Sequence, residues 1–280
     1  MLKAKIKAFL QKCFPRRYTE FMSRRSRRHS QKLERAWGCI DVAQKLVERQ
    51  GTAVSGGPFE GLEFPPRTLE RHIAPKLIGS YEKELHSAIR NVSKKSYSQI
   101  IDVGCAEGYY AVGFALLFPK TPVIAFDTDP WARDATQEMA RLNGVDNISL
   151  RSFCDVQWLS DHLTPGALVF SDCEGFEDDL LKPTEIPSLR FCDVIVEVHQ
   201  EKAPGVAGRI AERFRDTHDI TDIQGEERNP SDYDRISFLP KDEQRIAINE
   251  YQRSSPKWFF MQSRAEKTRH SCKILVTDKK

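Results

Sequence analysis

The 280-residue chain has no apolar run near the roughly 18 to 20 residues that a membrane-spanning helix needs. It also lacks a secretory pattern at its start, where basic residues interleave with apolar ones and no clean apolar stretch follows. No two of its seven cysteines (Cys13, Cys39, Cys105, Cys154, Cys173, Cys192 and Cys272) form a C-x-x-C pair, and their spacing is irregular. A disulfide framework and a zinc site are therefore not expected, and reduced cysteines in or near a core are. Internal repeats and low-complexity tracts are absent as well. These absences leave a soluble, cytoplasmic globular protein as the expectation, with 40% hydrophobic residues to build one sizeable core.

What the chain does have is a lopsided charge. Residues 1–35 hold 12 Lys or Arg against Glu20 and Glu34, a net of +10, while the whole chain carries +3. The bulk of the protein is thus mildly acidic and wears a basic N-terminal arm. Residues 1–14 read as an amphipathic helix, with Leu2, Ile6, Phe9, Leu10 and Cys13 on one face. Pro15 stops or kinks it. The run Arg24-Arg25-Ser26-Arg27-Arg28 follows, then a helical stretch around Gln31–Gln50. Such an arm suits peripheral contact with an anionic membrane through residues 1–35, for which each basic residue contributes about 1 kcal/mol. Nucleic acid would attract it too, although regularly spaced stacking aromatics are missing. A solvated or partner-binding tail is the plain alternative.

Residues 51–97 form a Gly/Pro-rich ordered loop, Gly51–Pro66, and a mixed helical lead-in, Leu69–Asn91. From residue 98 to 263 the pattern alternates. Strands are expected at Gln99–Cys105, Pro122–Phe126, Ile148–Phe153, Ala167–Ser171, Val194–Val198, Asp219–Ile223 and Trp258–Met261. Helices are expected at Gly108–Phe118, Pro130–Leu142 and Val206–Thr217. This order implies a doubly wound, mostly parallel seven-stranded α/β sheet of Rossmann-like type with a helical N-terminal extension. Residues 264–280 are a tail.

The strongest local signal is Asp102-Val103-Gly104-Cys105-Ala106-Glu107-Gly108, where a strand turns into a helix. Gly104 and Gly108 allow a tight turn and close approach of a ligand, the exposed backbone N–H groups at the helix start favour a negatively polarised or carboxylate group, and Cys105 and Ala106 belong to the expected cofactor site. Asp127, 19 residues after Gly108, ends the next strand, where an acid accepts hydrogen bonds from ribose hydroxyls. A dinucleotide site wants G-x-G-x-x-G, and Ala106 occupies its middle glycine. An acid two residues before the first glycine suits a ligand with a charged amino group, such as the methionine end of S-adenosylmethionine.

A second constellation lies at the ends of strands four and five. Asp172 and Glu174, and Glu197 and His199, are spaced i, i+2, so each pair points to one face where the strand stays extended. Neighbouring strands would gather three carboxylates and an imidazole beside the cofactor. His199, with a pKa near neutrality, is the natural general base for a hydroxyl acceptor, and Asp172 could serve instead or orient that acceptor. The cluster also offers oxygen ligands to a divalent metal such as Mg2+, for which His is an unusual ligand; no metal is assigned. Capping of a following helix is the plain reading of Asp172 and Glu174. The 34 residues Gln224–Lys257, with Arg228, Tyr233, Arg235, Arg245 and Arg253, either cover the acceptor site or form a solvated helix.

The turn resembles motif I of class I methyltransferases, and the chain resembles the FkbM-type family. The matching pieces are GPFEGLEF (57–64), KLIGSYEKELH (76–86), IDVGCAEGYYAVG (101–113), AFDTDPWA (125–132), SDCEGFE (171–177) and VEVH (196–199), together spanning about residues 56 to 200. Cys173 stands where that family usually has Val. The resemblance implies that Asp127 holds the ribose, that Asp102, Gly104 and Gly108 surround the methionine part, and that Asp155 holds the adenine amine. It further implies an S-adenosylmethionine-dependent O-methyltransferase acting on a sugar, glycolipid or natural-product hydroxyl. An RNA or protein methyltransferase docked by the arm, a catalytically silent S-adenosylmethionine-binding protein and, disfavoured by Ala106, a nicotinamide-dependent oxidoreductase are the alternatives.

Overall fold

A computed structural model describes residues 15–250 and 257–265. The expected amphipathic helix over residues 1–14 and Arg253 lie outside them. Seven strands form one sheet: β1 Ile100–Val103, β2 Val123–Phe126, β3 Ile148–Arg151, β4 Leu168–Ser171, β5 Asp193–Glu197, β6 His218–Gln224 and β7 Lys257–Ser263. Their order is β3-β2-β1-β4-β5-β7-β6. The first five run parallel, and β7 is antiparallel to both β5 and β6. The reversal of winding between β1 and β4 makes the topological switch point, outside whose carboxyl ends a ligand crevice belongs.

The strands carry two apolar faces because side chains alternate across a sheet. Ile100, Phe170, Ile195 and Trp258 belong to one buried core, and Ile101, Val103, Val169, Val194 and Val196 to the other. β1 is buried along its whole length, as a central parallel strand covered on both sides must be. β3, at the edge, alternates half-buried Ile148 and Leu150 with exposed Ser149 and Arg151 in period two. Among the described residues no helix is long and apolar enough to cross a membrane.

The first core is closed by the segment before the sheet. Phe59, from the Gly/Pro-rich loop, lies edge-on to Tyr109, Tyr110 and Phe114 at 5.2–5.7 Å between ring centres. It sits on Gly113, where a Cβ would meet the ring at 2.5 Å. The helix Tyr109–Leu117 is buried on all sides from Tyr109 to Ala115, pinned between this loop and the sheet.

The N-terminal region differs from the single helical stretch expected around Gln31–Gln50. One helix runs Pro15–Ala36 and a second Cys39–Gln50, separated by Gly38 at φ +75°. The described part of the first of these helices begins at Pro15. The short helix Val156–His162, capped by Asp155, was not expected, and the helix after β4, Glu177–Leu180, has no side-chain cap from Asp172 or Glu174. The helix Pro130–Leu142 has the predicted bounds, with Asp129 accepting from Trp131 N at its start and Gly144 at φ +66° beyond its end.

Candidate active site

The turn after β1 is built from backbone. Gly104 N and Cys105 N both donate to Phe126 O at 2.9 Å, and Gly108 N donates to Cys105 O at 2.8 Å. Gly104 adopts φ +97°, and a Cβ on it would stand 1.8 Å from the carbonyl oxygen of Asp172. Gly108 adopts φ +104° against Thr136. Ala106 also sits in the left-handed region, at φ +47°, which L-residues other than Gly, Asn and Asp rarely adopt. Its N–H donates to Asp127 Oδ2 at 2.9 Å, so the turn and the end of β2 are tied together. Asp127 Oδ1 accepts from Asp129 N at 2.7 Å. Burial pushes the Asp127 carboxyl up to about 6, and those two backbone donors hold it from rising further.

A cavity of about 810 Å3 opens at the carboxyl ends of β1, β2 and β4, within the range usual for small-molecule sites. Of the residues expected to hold the cofactor, Gly104, Ala106 and Asp127 line it. Asp102 lies beneath the turn, fully buried, and neither carboxylate oxygen has a hydrogen-bond partner among the described residues. Burial, with Asp127 and Asp172 nearby, drives its pKa well above the carboxylate range. Cys105 and Gly108 are outside the lining and bonded to each other within the turn. Asp155 is exposed and outside the lining; its Oδ1 accepts from Trp158 N at 2.7 Å as a helix cap. The three residues before it, Ser152, Phe153 and Cys154, line the cavity instead.

The ends of β4 and β5 meet as expected. Asp172, which also lines the cavity, approaches His199 Nε2 at 3.6 Å through Oδ1. Glu197 Oε2 lies 3.6 Å and Glu174 Oε2 3.9 Å from the same nitrogen. The other ring nitrogen, Nδ1, bonds Glu177 Oε1 at 2.8 Å. Burial alone would lower the His199 pKa, but Glu177 and Asp172 outweigh it and raise it. Burial and the adjacent Asp172 push Glu197 up to about 10, making it the protonated member of a hydrogen-bonded carboxyl pair. Glu174, at φ +58°, is mostly exposed and pairs with Lys202.

Several residues at the site were not singled out from the sequence. Glu177 is fully buried and orients His199, yet in the sequence it is one more acid in SDCEGFE. Lys76 pairs with Glu107 and lies 4.3 Å from the Tyr81 ring centre and 5.6 Å from that of Tyr109. Glu82, buried at φ +45°, bonds the Tyr110 hydroxyl, and burial with Glu250 and Asp172 raises it to about 8. The helix Pro15–Ala36 contributes Ser23, Ser26, Arg27 and Ser30 to the cavity wall, which makes part of the basic arm a roof over the site. Arg228, expected as a cover for an acceptor, is buried in ion pairs with Glu84 and Glu250 at 2.7 and 2.6 Å. Arg245 pairs with Asp242 on the surface.

No protein-family model and no curated protein sequence matches the chain, so the FkbM resemblance rests on the residues quoted for it. Some solved structures are similar to part of the chain. An rRNA methylase from Streptococcus thermophilus shares 11% identity over 65% of this chain and 98% of its own, with a TM-score of 0.44. A precorrin 8w decarboxylase from Methanobacterium thermoautotrophicum shares 17% over 64% and 89%, at 0.42. A ribosomal protein L11 methylase from Lactobacillus delbrueckii subsp. bulgaricus shares 16% over 66% and 81%, at 0.41.

Proposed function

We propose that the chain is an S-adenosylmethionine-dependent methyltransferase whose acceptor is a hydroxyl of a small molecule or glycan, of the sugar, glycolipid or natural-product kind. The observation that carries this reading is the cavity that Gly104, Ala106, Asp127 and Asp172 line together. It joins a glycine turn, a ribose-binding acid and a carboxylate cluster in one space. Asp127, its two oxygens already oriented by Ala106 N and Asp129 N, receives the ribose hydroxyls. Phe153, exposed on the cavity wall, offers a ring face to the adenine. Asp102, fully buried beneath the turn, supports it from outside the cavity, while the carboxyl of Asp172 reaches the cavity wall.

S-adenosylmethionine supplies a methyl group already activated by positive sulfur. The chain's own work is then alignment and proton removal. Asp172, at the cavity wall, or His199 behind it accepts the proton of the acceptor hydroxyl. Glu177 holds the imidazole in one orientation while this happens. Lys76 and Glu107, paired beneath the rings of Tyr81 and Tyr109, keep the far side of the turn rigid.

One observation favours a second reading, an anionic macromolecular acceptor such as RNA. The helix that roofs the cavity turns Arg24, Arg25, Arg28, Lys32 and Arg35 outward, beside the cavity wall formed by its other face.

Calorimetry separates the cofactor classes. The full chain should bind S-adenosylhomocysteine and not NAD, and Asp127→Ala should weaken that binding by about 1–3 kcal/mol. Binding of NAD alone would overturn the methyltransferase reading.

A further inference from the structure

We infer that the ends of β4 and β5 form a divalent-cation site, with Asp172, Glu174 and His199 as its ligands and Glu197 beside them. As a binding site this is independent of the methyltransferase reading; as a means of ionising the acceptor hydroxyl, in place of Asp172 or His199 as the free base, it rests on that reading.

One potential ligand atom from each of Asp172, Glu174 and His199 lies within 4.8 Å of the other two. A cluster of acids alone would carry little, but the histidine points to a ligand independently. Its ring is more than nine-tenths buried. Nδ1 is committed to Glu177, itself fully buried and held by Gly175 N at 3.1 Å. The ring therefore cannot turn, and Nε2 is aimed among the oxygens of Asp172, Glu197 and Glu174 at 3.6, 3.6 and 3.9 Å. None of these is a hydrogen bond, since such bonds close at about 3.2 Å or less. Two ligands about 2.1 Å from one ion stand roughly 3.0–3.4 Å apart, so an inward movement of the three side chains, now within 4.8 Å of one another, brings them onto a cation. Asp172 Oδ1, the oxygen facing Nε2, has no hydrogen-bond partner among the described residues.

A buried carboxylate that fixes one imidazole nitrogen while the other faces acidic oxygens is the arrangement by which proteins orient a histidine ligand. The cluster also needs positive charge. Lys202 provides one, but on Glu174 and from a side chain 42% exposed, which can swing into solvent when an ion takes its place. Two carboxylates with one imidazole suit a first-row ion such as Mn2+ better than Mg2+, which prefers oxygen throughout.

The test is titration of the metal-stripped full chain with MnCl2, followed by electron paramagnetic resonance. One Mn2+ should bind per chain, with a nitrogen coupling from His199, and MgCl2 should compete poorly. His199→Gln should remove the nitrogen coupling. Glu177→Gln should weaken binding about 10- to 100-fold, as loss of a ligand's orienting partner does. Glu174→Gln, at a mostly exposed side chain that the fold does not need, should weaken it as well. Absence of stoichiometric Mn2+ binding, or binding without nitrogen coupling and unchanged in Glu174→Gln, overturns the proposal. Calorimetry with S-adenosylhomocysteine on the same sample keeps the two readings apart. Cofactor binding without Mn2+ removes the cation site alone. Mn2+ binding with nitrogen coupling supports the site whether or not the cofactor binds.

Discussion

Arg27 donates from Nε to Asp129 Oδ2 at 3.0 Å, joining residues 102 positions apart in the chain. The bond docks the helix Pro15–Ala36 onto the cavity wall. Asp129 is at the same time the cap of the helix Pro130–Leu142. The Arg27 guanidinium lies 5.1 Å from the Trp131 ring centre and that of Arg71 5.7 Å. Arg71 is in turn gripped by Glu34 through bonds of 3.0 and 3.1 Å. An arm held this way is part of the cavity wall, and on the proposed reading part of the cofactor site. A chain starting at residue 36 should therefore lose about tenfold or more in affinity for S-adenosylhomocysteine. Arg27→Ala, removing one partly exposed ion pair worth about 0.5–1 kcal/mol, should lose about two- to fivefold. Isothermal titration reads both, and equal affinity in all three proteins would mean that the helix only lies nearby.

The turn after β1 gives a sharper stability test. Gly104→Ala forces a side chain into φ +97° and onto the Asp172 carbonyl, 1.8 Å away. The strands must part, at a cost of more than about 2 kcal/mol, and the cavity wall moves with them. Gly144→Ala is the control. It has a positive φ too, +66°, but open space around it, so about 1 kcal/mol is expected. Urea midpoints measure the two costs, and similar values would show that the close approach of Gly104 to Asp172 carries no weight.

The sheet was legible in the sequence because its signals are local. Apolar runs such as Ile100–Val103, and the Pro130 and Asn143-Gly144 punctuation, are read without knowing what packs where. The meeting of Asp172 with His199 was legible too, since adjacent parallel strands bring their carboxyl ends together. What stayed hidden depends on long-range contacts. The basic run 24–28 reads as a free arm, and only the folded chain shows Arg27 turned inward to Asp129 while Arg24, Arg25 and Arg28 face out. Glu177 resembles its acidic neighbours until the structure sets it, fully buried, on His199. Arg228 has the composition of a substrate clamp, and its burial against Glu84 and Glu250 is a tertiary fact. Asp155 has the same ambiguity, since a carboxylate before a helix serves as a cap without any ligand.

The ionisation of Asp127 sets a pH dependence with a definite sign. Its folded pKa is about 6, raised chiefly by burial, against about 3.9 in an unfolded chain. The folded state therefore holds this proton more tightly. The group's contribution to stability is fully present below about pH 4 and is lost as pH rises through about 6. Binding runs the other way. Ribose hydroxyls donate to the ionised carboxylate, so the affinity for S-adenosylhomocysteine should be level above about pH 7 and fall below about pH 6, by up to about tenfold per unit. Asp127→Asn removes the titration: its affinity should be weaker at pH 7.5 and nearly flat down to pH 5, while its stability should lose the fall between pH 4 and 6. Calorimetric affinities and thermal melts of both proteins across pH 4–8 supply the comparison. A wild-type affinity that stays constant from pH 5 to 7.5 would place the ribose somewhere other than on Asp127.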